Sequence, residues 1–327
     1  MNKIAIAQIT SSTEKKKNLA TALRLVEEAK SKGAELIAFP EFLMAFSPAS
    51  QTAEELTQVA ESVDGPFITA LRDAARVNGI AVIAPIYETS SVTHRVFDAS
   101  VWIDAKGNVA SVYRKLHLYD AFGFKESDKF QPGGDIAPLV ESGDSRFGMM
   151  ICYDLRFPEM ARMLALAGAN ILVAPSGWVQ GDLKVEHWQT MIKARALENG
   201  CYVIAPNQAG NVYTGHSMAV DPLGRTLVDL GEIEGLEVIE LNLQLVNEIR
   251  EKLPLLKNRR AEVYAMHEEF ESLVHARSRT LDNLGAEFDD LLDRMQSPKA
   301  KKAMDAAFNA SPAKLGRAAL KATRKGR

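Results

Sequence analysis

Six apolar runs of strand length constrain this chain more than any other feature: Ile4 to Ile9, Leu36 to Phe39, Ile80 to Ile86, Phe147 to Ile151, Ile171 to Ala174 and Tyr202 to Ala205. A strand with one face in water alternates apolar and polar residues, whereas a continuous run marks a strand covered on both faces. Such strands need a layer on either side, and helical patterns stand between several of them. Leu19, Leu23, Val26 and Ala29 repeat at helical spacing after Glu14, with Gly33 as the stop. Two further segments, VFDASVWIDAKGNVASVY and GHSMAVDPLGRTLVDLG, each set an Asp-x-x-Gly turn between strand-like runs and read as antiparallel hairpins. Helix-linked strands with added hairpins predict mixed sheets with helices outside, a layered α/β sandwich, and the similarity of the hairpins points to a duplicated half.

Composition narrows the class. With 46% hydrophobic and 25% charged residues over 327 positions, the chain has the balance of a soluble globular protein. No apolar run approaches the roughly 20 residues of a membrane helix. The opening MNKIAIAQITSSTEKKK is too short in its apolar part for a secretion signal, so a cytoplasmic protein without membrane association is expected. Cys152 and Cys201 are the two cysteines, and neither sits in a Cys-x-x-Cys pair, which argues against a disulfide scaffold or a zinc ribbon. Phosphate-loop, dinucleotide and zinc-protease motifs are absent from the sequence.

From Arg259 onward helix formers and charge replace strand candidates. The expected organisation is a body over 1–264 and a helical, basic extension over 265–327. Between Ser297 and Arg327 nine Lys or Arg stand against one acid, Asp305, in a chain of net charge −3. A solvated terminus is the plain reading of that tail; docking to a partner subunit or a polyanion is the other. It lacks interleaved aromatics and any nucleic-acid module, so nucleic acid is not expected as a partner.

Chemistry centres on MMICYDLRFPE, residues 149–159, where Cys152 ends an apolar run. A lone cysteine is ordinarily a small core residue. One placed directly after a buried strand and before a helix starting near Pro158 sits where α/β sheets expose reactive groups, with following backbone N–H groups in reach of an oxyanion. A thiol at neutral pH needs a base and a cation. Glu41 ends the run LIAFPEF and Lys115 follows a strand-like run in VYRKLHLYD. Taken singly, Glu41 also reads as a helix N-terminal acid and Lys115 as a surface charge.

Three strand ends delivering Glu, Lys and Cys in that order resemble the nitrilase superfamily of carbon-nitrogen hydrolases. The resemblance is carried by IAIAQI, FPE (39–41), YRKLHL (113–118), ICYDLRFPE (151–159) and GHSMAVDPLG (215–224). It implies a four-layer α-β-β-α sandwich that associates as a homodimer or higher homo-oligomer through helices near the active sites. It also implies the catalytic roles: Glu41 as base, Lys115 as oxyanion cation, Cys152 as nucleophile, the Tyr153 backbone N–H as a further oxyanion donor, and Glu126 as a second acid. Glu126 otherwise reads as a loop carboxylate. Tyr119, Trp178 and His187 are placed in or beside the substrate pocket, although the helix of His187 has a structural reading too, since Arg195 and Glu198 can pair at i,i+3. No metal or organic cofactor is implied.

CYDLRFPE and LPLLKNRRAEVY (253–264) resemble the amidase branch that includes deaminated glutathione amidase and omega-amidase. A cysteine amidohydrolase of small linear amides is therefore expected, with an N-carbamoyl amino acid hydrolase or a nitrilase as the neighbouring alternatives. Two segments depart from the family pattern, APSGW (174–178) and DAFGFKESDKF (120–130), and both border the substrate. A serine hydrolase built on Ser217 in GHSMA is a distant alternative. It requires a strand-turn-helix context where the sequence predicts a hairpin strand.

Overall fold

The computed structural model describes residues 1–266. The chain divides into two units, Met1–Asn258 and Arg259–Arg327. Apart from 259–266, the second unit, with the helices and basic tail expected there, lies outside the described residues.

The first unit opens with β1 (Lys3–Gln8), α1 (Lys15–Ser31), β2 (Leu36–Ala38), α2 (Ala53–Val59), α3 (Pro66–Asn78), β3 (Ala81–Thr89), β4 (Val96–Ile103) and β5 (Val109–Arg114). It continues through β6 (Val140–Ser142), β7 (Ser145–Met149), α4 (Pro158–Leu166), β8 (Ile171–Val173), α5 (Lys184–Asn199), β9 (Tyr202–Ala205), β10 (Met218–Val220), β11 (Thr226–Asp229), β12 (Gly235–Glu240) and α6 (Leu243–Lys252). All six apolar runs form strands, within a residue or three of the expected bounds.

Two six-stranded sheets result, ordered β12-β1-β2-β3-β4-β5 and β6-β7-β8-β9-β10-β11. In each, three central parallel strands are flanked by one antiparallel strand on one side and an antiparallel hairpin on the other. The duplication expected from the hairpins thus extends to both sheets. Asp104 and Asp221 open the two turns identically, each accepting backbone N–H bonds from residues two and four positions later at 2.8 to 3.0 Å.

Burial explains the continuous runs. Ile4 and Ile6 of β1 point into the space between the sheets, while Ala5 and Ala7 lie beneath α1. Small residues on the outer face let the helix approach; branched ones on the inner face fill the gap between sheets. Trp102 of β4 meets Phe147 of β7 across that gap, ring centroids 4.7 Å apart. With α1 and α3 over the first sheet and α4 and α5 over the second, the molecule is the four-layer α-β-β-α sandwich. One detail of α1 differs: Ala22, Leu25, Val26 and Ala29 are buried, whereas Leu19 and Leu23 flank the core only partly covered. Both stripes satisfy helical spacing, and the sheet decides which one faces in.

The first hairpin also shows a glycine without substitute. Gly107 has φ +82°, and a Cβ there would lie 2.6 Å from the Arg72 carbonyl oxygen. Gly107→Ala should cost about 1–3 kcal/mol, read as a lower urea midpoint at unchanged m-value, with activity per folded molecule retained. Gly33→Ala, at φ +84° but in open space, is the control and should cost less.

Candidate active site

Three strand ends converge at one end of the two sheets. Glu41 follows β2 in a loop that Asn18 of α1 anchors by donating to the Met44 carbonyl at 3.0 Å, and Gln208 donates to the Glu41 carbonyl at 2.9 Å. Lys115 follows β5, its N–H bonded to the Asp98 carbonyl of β4 at 2.9 Å. Cys152 follows β7 and starts a short 3-10 turn, Cys152–Arg156, that leads into α4.

Cys152 has φ +43°, in the left-handed region that side chains avoid. Its surroundings hold it there. The Cys152 N–H donates to Pro175 O at 2.9 Å, and buried Asp154 accepts from the Ile151 N–H at 2.9 Å, the Tyr113 hydroxyl at 2.6 Å and the His117 N–H at 3.2 Å. Asp154 thereby ties the cysteine turn to the chain that carries Lys115. Tyr153 precedes the first hydrogen bond of the 3-10 turn, Asp154 N–H to Ile151 O, which is where a helical turn leaves donors for other partners.

The Lys115 ammonium is buried and lies 2.8 Å from Glu41 Oε1, 2.9 and 3.0 Å from the two Glu126 oxygens, and 3.6 Å from Asp98 Oδ2. Glu41 takes a second bond through Oε2 from the Gly177 N–H at 2.6 Å. Burial alone would push Lys115 down; Glu126, Glu41 and Asp98 reverse this and hold the ammonium well above the usual lysine range. Burial pushes the Cys152 thiol well up, and Glu41 adds to it against the opposing pull of Lys115. Both influences favour the protonated thiol over the thiolate.

Glu126 and Cys152 also line a cavity of about 370 Å³, walled by Phe42, Tyr119, Tyr213 and Trp178. Its lining includes Lys125, which pairs with Asp128 at 2.7 Å, and Lys129, and it also carries Lys184 and Arg156. Lys184 is buried at the start of α5, donates to the Tyr119 hydroxyl at 2.8 Å and lies 4.3 Å from the Phe122 ring centre. Arg156 stacks on Trp178 at 4.7 Å. Among the described residues neither has a carboxylate at ion-pair distance.

The structure therefore brings together Glu41, Lys115, Cys152 and Glu126, with Tyr119, Tyr153 and Trp178 at the cavity. His187 does not line it. On α5, Lys184 and Trp188 share the face toward the site at i,i+4, Trp188 packing on Trp178 at 5.2 Å, and His187 lies off that face. Arg195 does pair with Glu198 at 2.7 Å, and it also donates to the Leu155 carbonyl at 2.8 Å, bracing the cysteine turn. Ser217 sits immediately before hairpin strand β10, its hydroxyl exchanging hydrogen bonds with the Asn207 backbone, which leaves it no nucleophile's setting. Sequence reasoning passed over Asp98, Lys184 and Arg156. An aspartate inside the apolar run VFDASVWI was the available signal for the first.

The departure at APSGW has a steric reason. A Cβ on Gly177 would lie 2.8 Å from the Phe42 ring and 2.9 Å from that of Tyr213. Glycine lets the Phe42 wall close on the loop whose N–H holds Glu41.

Comparison with known proteins places this geometry. Residues 3–251 match the carbon-nitrogen hydrolase family model. A deaminated glutathione amidase from Escherichia coli O157:H7 is 37% identical over 257 residues, covering 79% of this chain and 97% of that one. The C. elegans NitFhit protein superposes with a TM-score of 0.75 at 30% identity, covering 80% of this chain and 66% of that one. An amidase from Nesterenkonia sp. AN1, whose active-site cysteine undergoes Michael addition of acrylamide in a mutant form, superposes with a TM-score of 0.67 at 27% identity over 81% of this chain and 99% of that one.

The two cysteines differ sharply in setting. Cys201 is wholly buried, and burial pushes its thiol up to about 12; Cys152 opens on the cavity. A limiting alkylating reagent on the folded protein should label Cys152 and spare Cys201, as read by peptide mapping. Equal labelling of both would contradict the assignment of the cavity.

Proposed function

The chain belongs to the carbon-nitrogen hydrolase family, and we propose that it is a cysteine-dependent amidohydrolase that cleaves a small linear amide bearing a carboxylate into an acid and ammonia. The observation that carries this reading is the buried Lys115–Glu41 pair at 2.8 Å beside the cavity that Cys152 lines. A base, a cation and a protonated thiol meet where a carbonyl can enter.

The steps follow from those positions. Glu41 takes the thiol proton as Cys152 sulfur bonds to the amide carbon, and the carbonyl oxygen gathers charge opposite the Lys115 ammonium and the Tyr153 N–H. The tetrahedral adduct collapses with cleavage of the C–N bond, and Glu41 returns the proton to the departing nitrogen. Water, deprotonated by Glu41, then attacks the thioester and the acid leaves with the thiol restored. The acrylamide adduct at the cysteine of the Nesterenkonia amidase supports a nucleophilic thiol in this architecture.

Lys184 and Arg156 support the acidic substrate. A buried cation without a counter-ion is costly, and a substrate carboxylate removes that cost.

A screen reading ammonia release from omega-amides, N-carbamoyl amino acids and nitriles and amine release from deaminated peptides tests the reaction class; nitriles or carbamoyl compounds outranking matched amides in kcat/KM would move the reading to those chemistries. Cys152→Ala should abolish turnover, since no other group forms the acyl intermediate. Glu41→Gln and Lys115→Ala should each lose on the order of 100-fold or more, and the losses should not add. Lys184→Met should raise KM about ten-fold for a carboxylate-bearing amide and leave kcat, and any neutral amide, nearly unchanged. Equal effects on acidic and neutral amides would remove the carboxylate from the proposal.

A further inference from the structure

Asp98 is a buried carboxyl that the mechanism above leaves unused. It projects from β4, opposite Tyr87 of β3, with 2% of its surface exposed. Three carboxyls, Glu41, Glu126 and Asp98, surround the single ammonium of Lys115. Two buried carboxylates and a half-buried one, Glu126, against one cation leave uncompensated negative charge where little water reaches, so at least one proton is retained.

The hydrogen bonds say where that proton sits. Both Glu41 oxygens are occupied by strong donors, Lys115 Nζ at 2.8 Å and the Gly177 N–H at 2.6 Å, and both Glu126 oxygens lie within 3.0 Å of Lys115, with the Tyr119 N–H on Oε2 at 2.8 Å. Donors of this kind stabilise the ionised form. Asp98 Oδ2, by contrast, is buried with no hydrogen-bond donor and stands 3.6 Å from the ammonium.

We infer that Asp98 is held as a neutral carboxylic acid beside the Lys115 ammonium, making it a positioning residue that acts through that charge. Its ordinary ionisation is suppressed by burial first and by the Glu41 charge second. The other groups facing it, Glu126 and Lys115, act in opposite directions. A neutral Asp98 spares Lys115 a third negative neighbour, leaving its charge free for a developing oxyanion. This role rests on the amidohydrolase reading of Lys115, but the protonation state does not.

Infrared spectroscopy of the full-length protein separates the two. With aspartate carboxyls labelled with ¹³C, the wild-type spectrum at neutral pH should contain a carboxylic-acid C=O band that shifts with the label. The other buried aspartates among the described residues, Asp154 and Asp221, accept several hydrogen bonds each and are not its source. The band should vanish in Asp98→Asn. That variant keeps a neutral group of the same shape beside Lys115 and should retain kcat within about three-fold. No label-sensitive acid band in the wild type overturns the inference without use of any variant, and a band that survives Asp98→Asn does the same. An Asp98→Asn enzyme that loses about ten-fold or more in kcat requires an ionised Asp98 and overturns the inference. An acid band assigned to Asp98 in a protein inactive on every amide would instead preserve the protonation state and sink the amidohydrolase reading.

Discussion

The contact between Lys115 and Glu41 is the constraint on which the rest of this molecule turns. An ammonium with 1% of its side chain exposed must be met by carboxylates, and removing either partner strands a charge in the interior. Holding the pair requires β2 and β5 to end at the same height in the first sheet. Holding it against the cysteine requires the second sheet to pack over the first in one register, because Gly177 and Cys152 both come from that second sheet. The inner faces of the strands, with Trp102 against Phe147, set the register. Core packing and site geometry are one problem here.

Duplication of the half-sandwich shows how one backbone plan serves two ends. Phe39-Pro40-Glu41 after β2 and Ala174-Pro175-Ser176 after β8 occupy equivalent places, and Phe39 and Ala174 each donate to a carbonyl of the next parallel strand, Ile83 and Ile204. One of the two loops carries the carboxylate; the other, through Gly177, supplies the N–H that it accepts. Equivalent chain paths have diverged into acceptor and donor, and they meet across the interface between the sheets.

Charge is segregated around the cavity. Near Cys152, burial and the Glu41 carboxylate raise the thiol; on the wall, Lys184 and Arg156 stand without carboxylate partners among the described residues. On the proposed reading the first arrangement serves proton transfer at the reacting carbon, and the second recognises a charged group remote from it, where binding energy orients the substrate.

Much of this was legible in the chain. The strands announced themselves because burial on both faces leaves no polar residue to interrupt a run, and the hairpins did so because Asp-x-x-Gly closes a turn through bonds spanning four residues. Glu41, Lys115 and Cys152 were readable as residues at strand ends, and their joint pattern resembled a known family. What sequence could not decide was every contact set by how the layers stack. Leu23 and Leu25 fit the helical stripe of α1 equally well, and only the sheet beneath selects Leu25. Lys184 rather than His187 faces the cavity because the start and rotation of α5 are set by Trp188 packing on Trp178. The neutral state inferred for Asp98 depends on Glu41 and Lys115 reaching it from other strands. Local bonding rules act over a few residues and are written in order along the chain; burial, charge balance and protonation arise from residues far apart in sequence, and they acquire values only when the two sheets close.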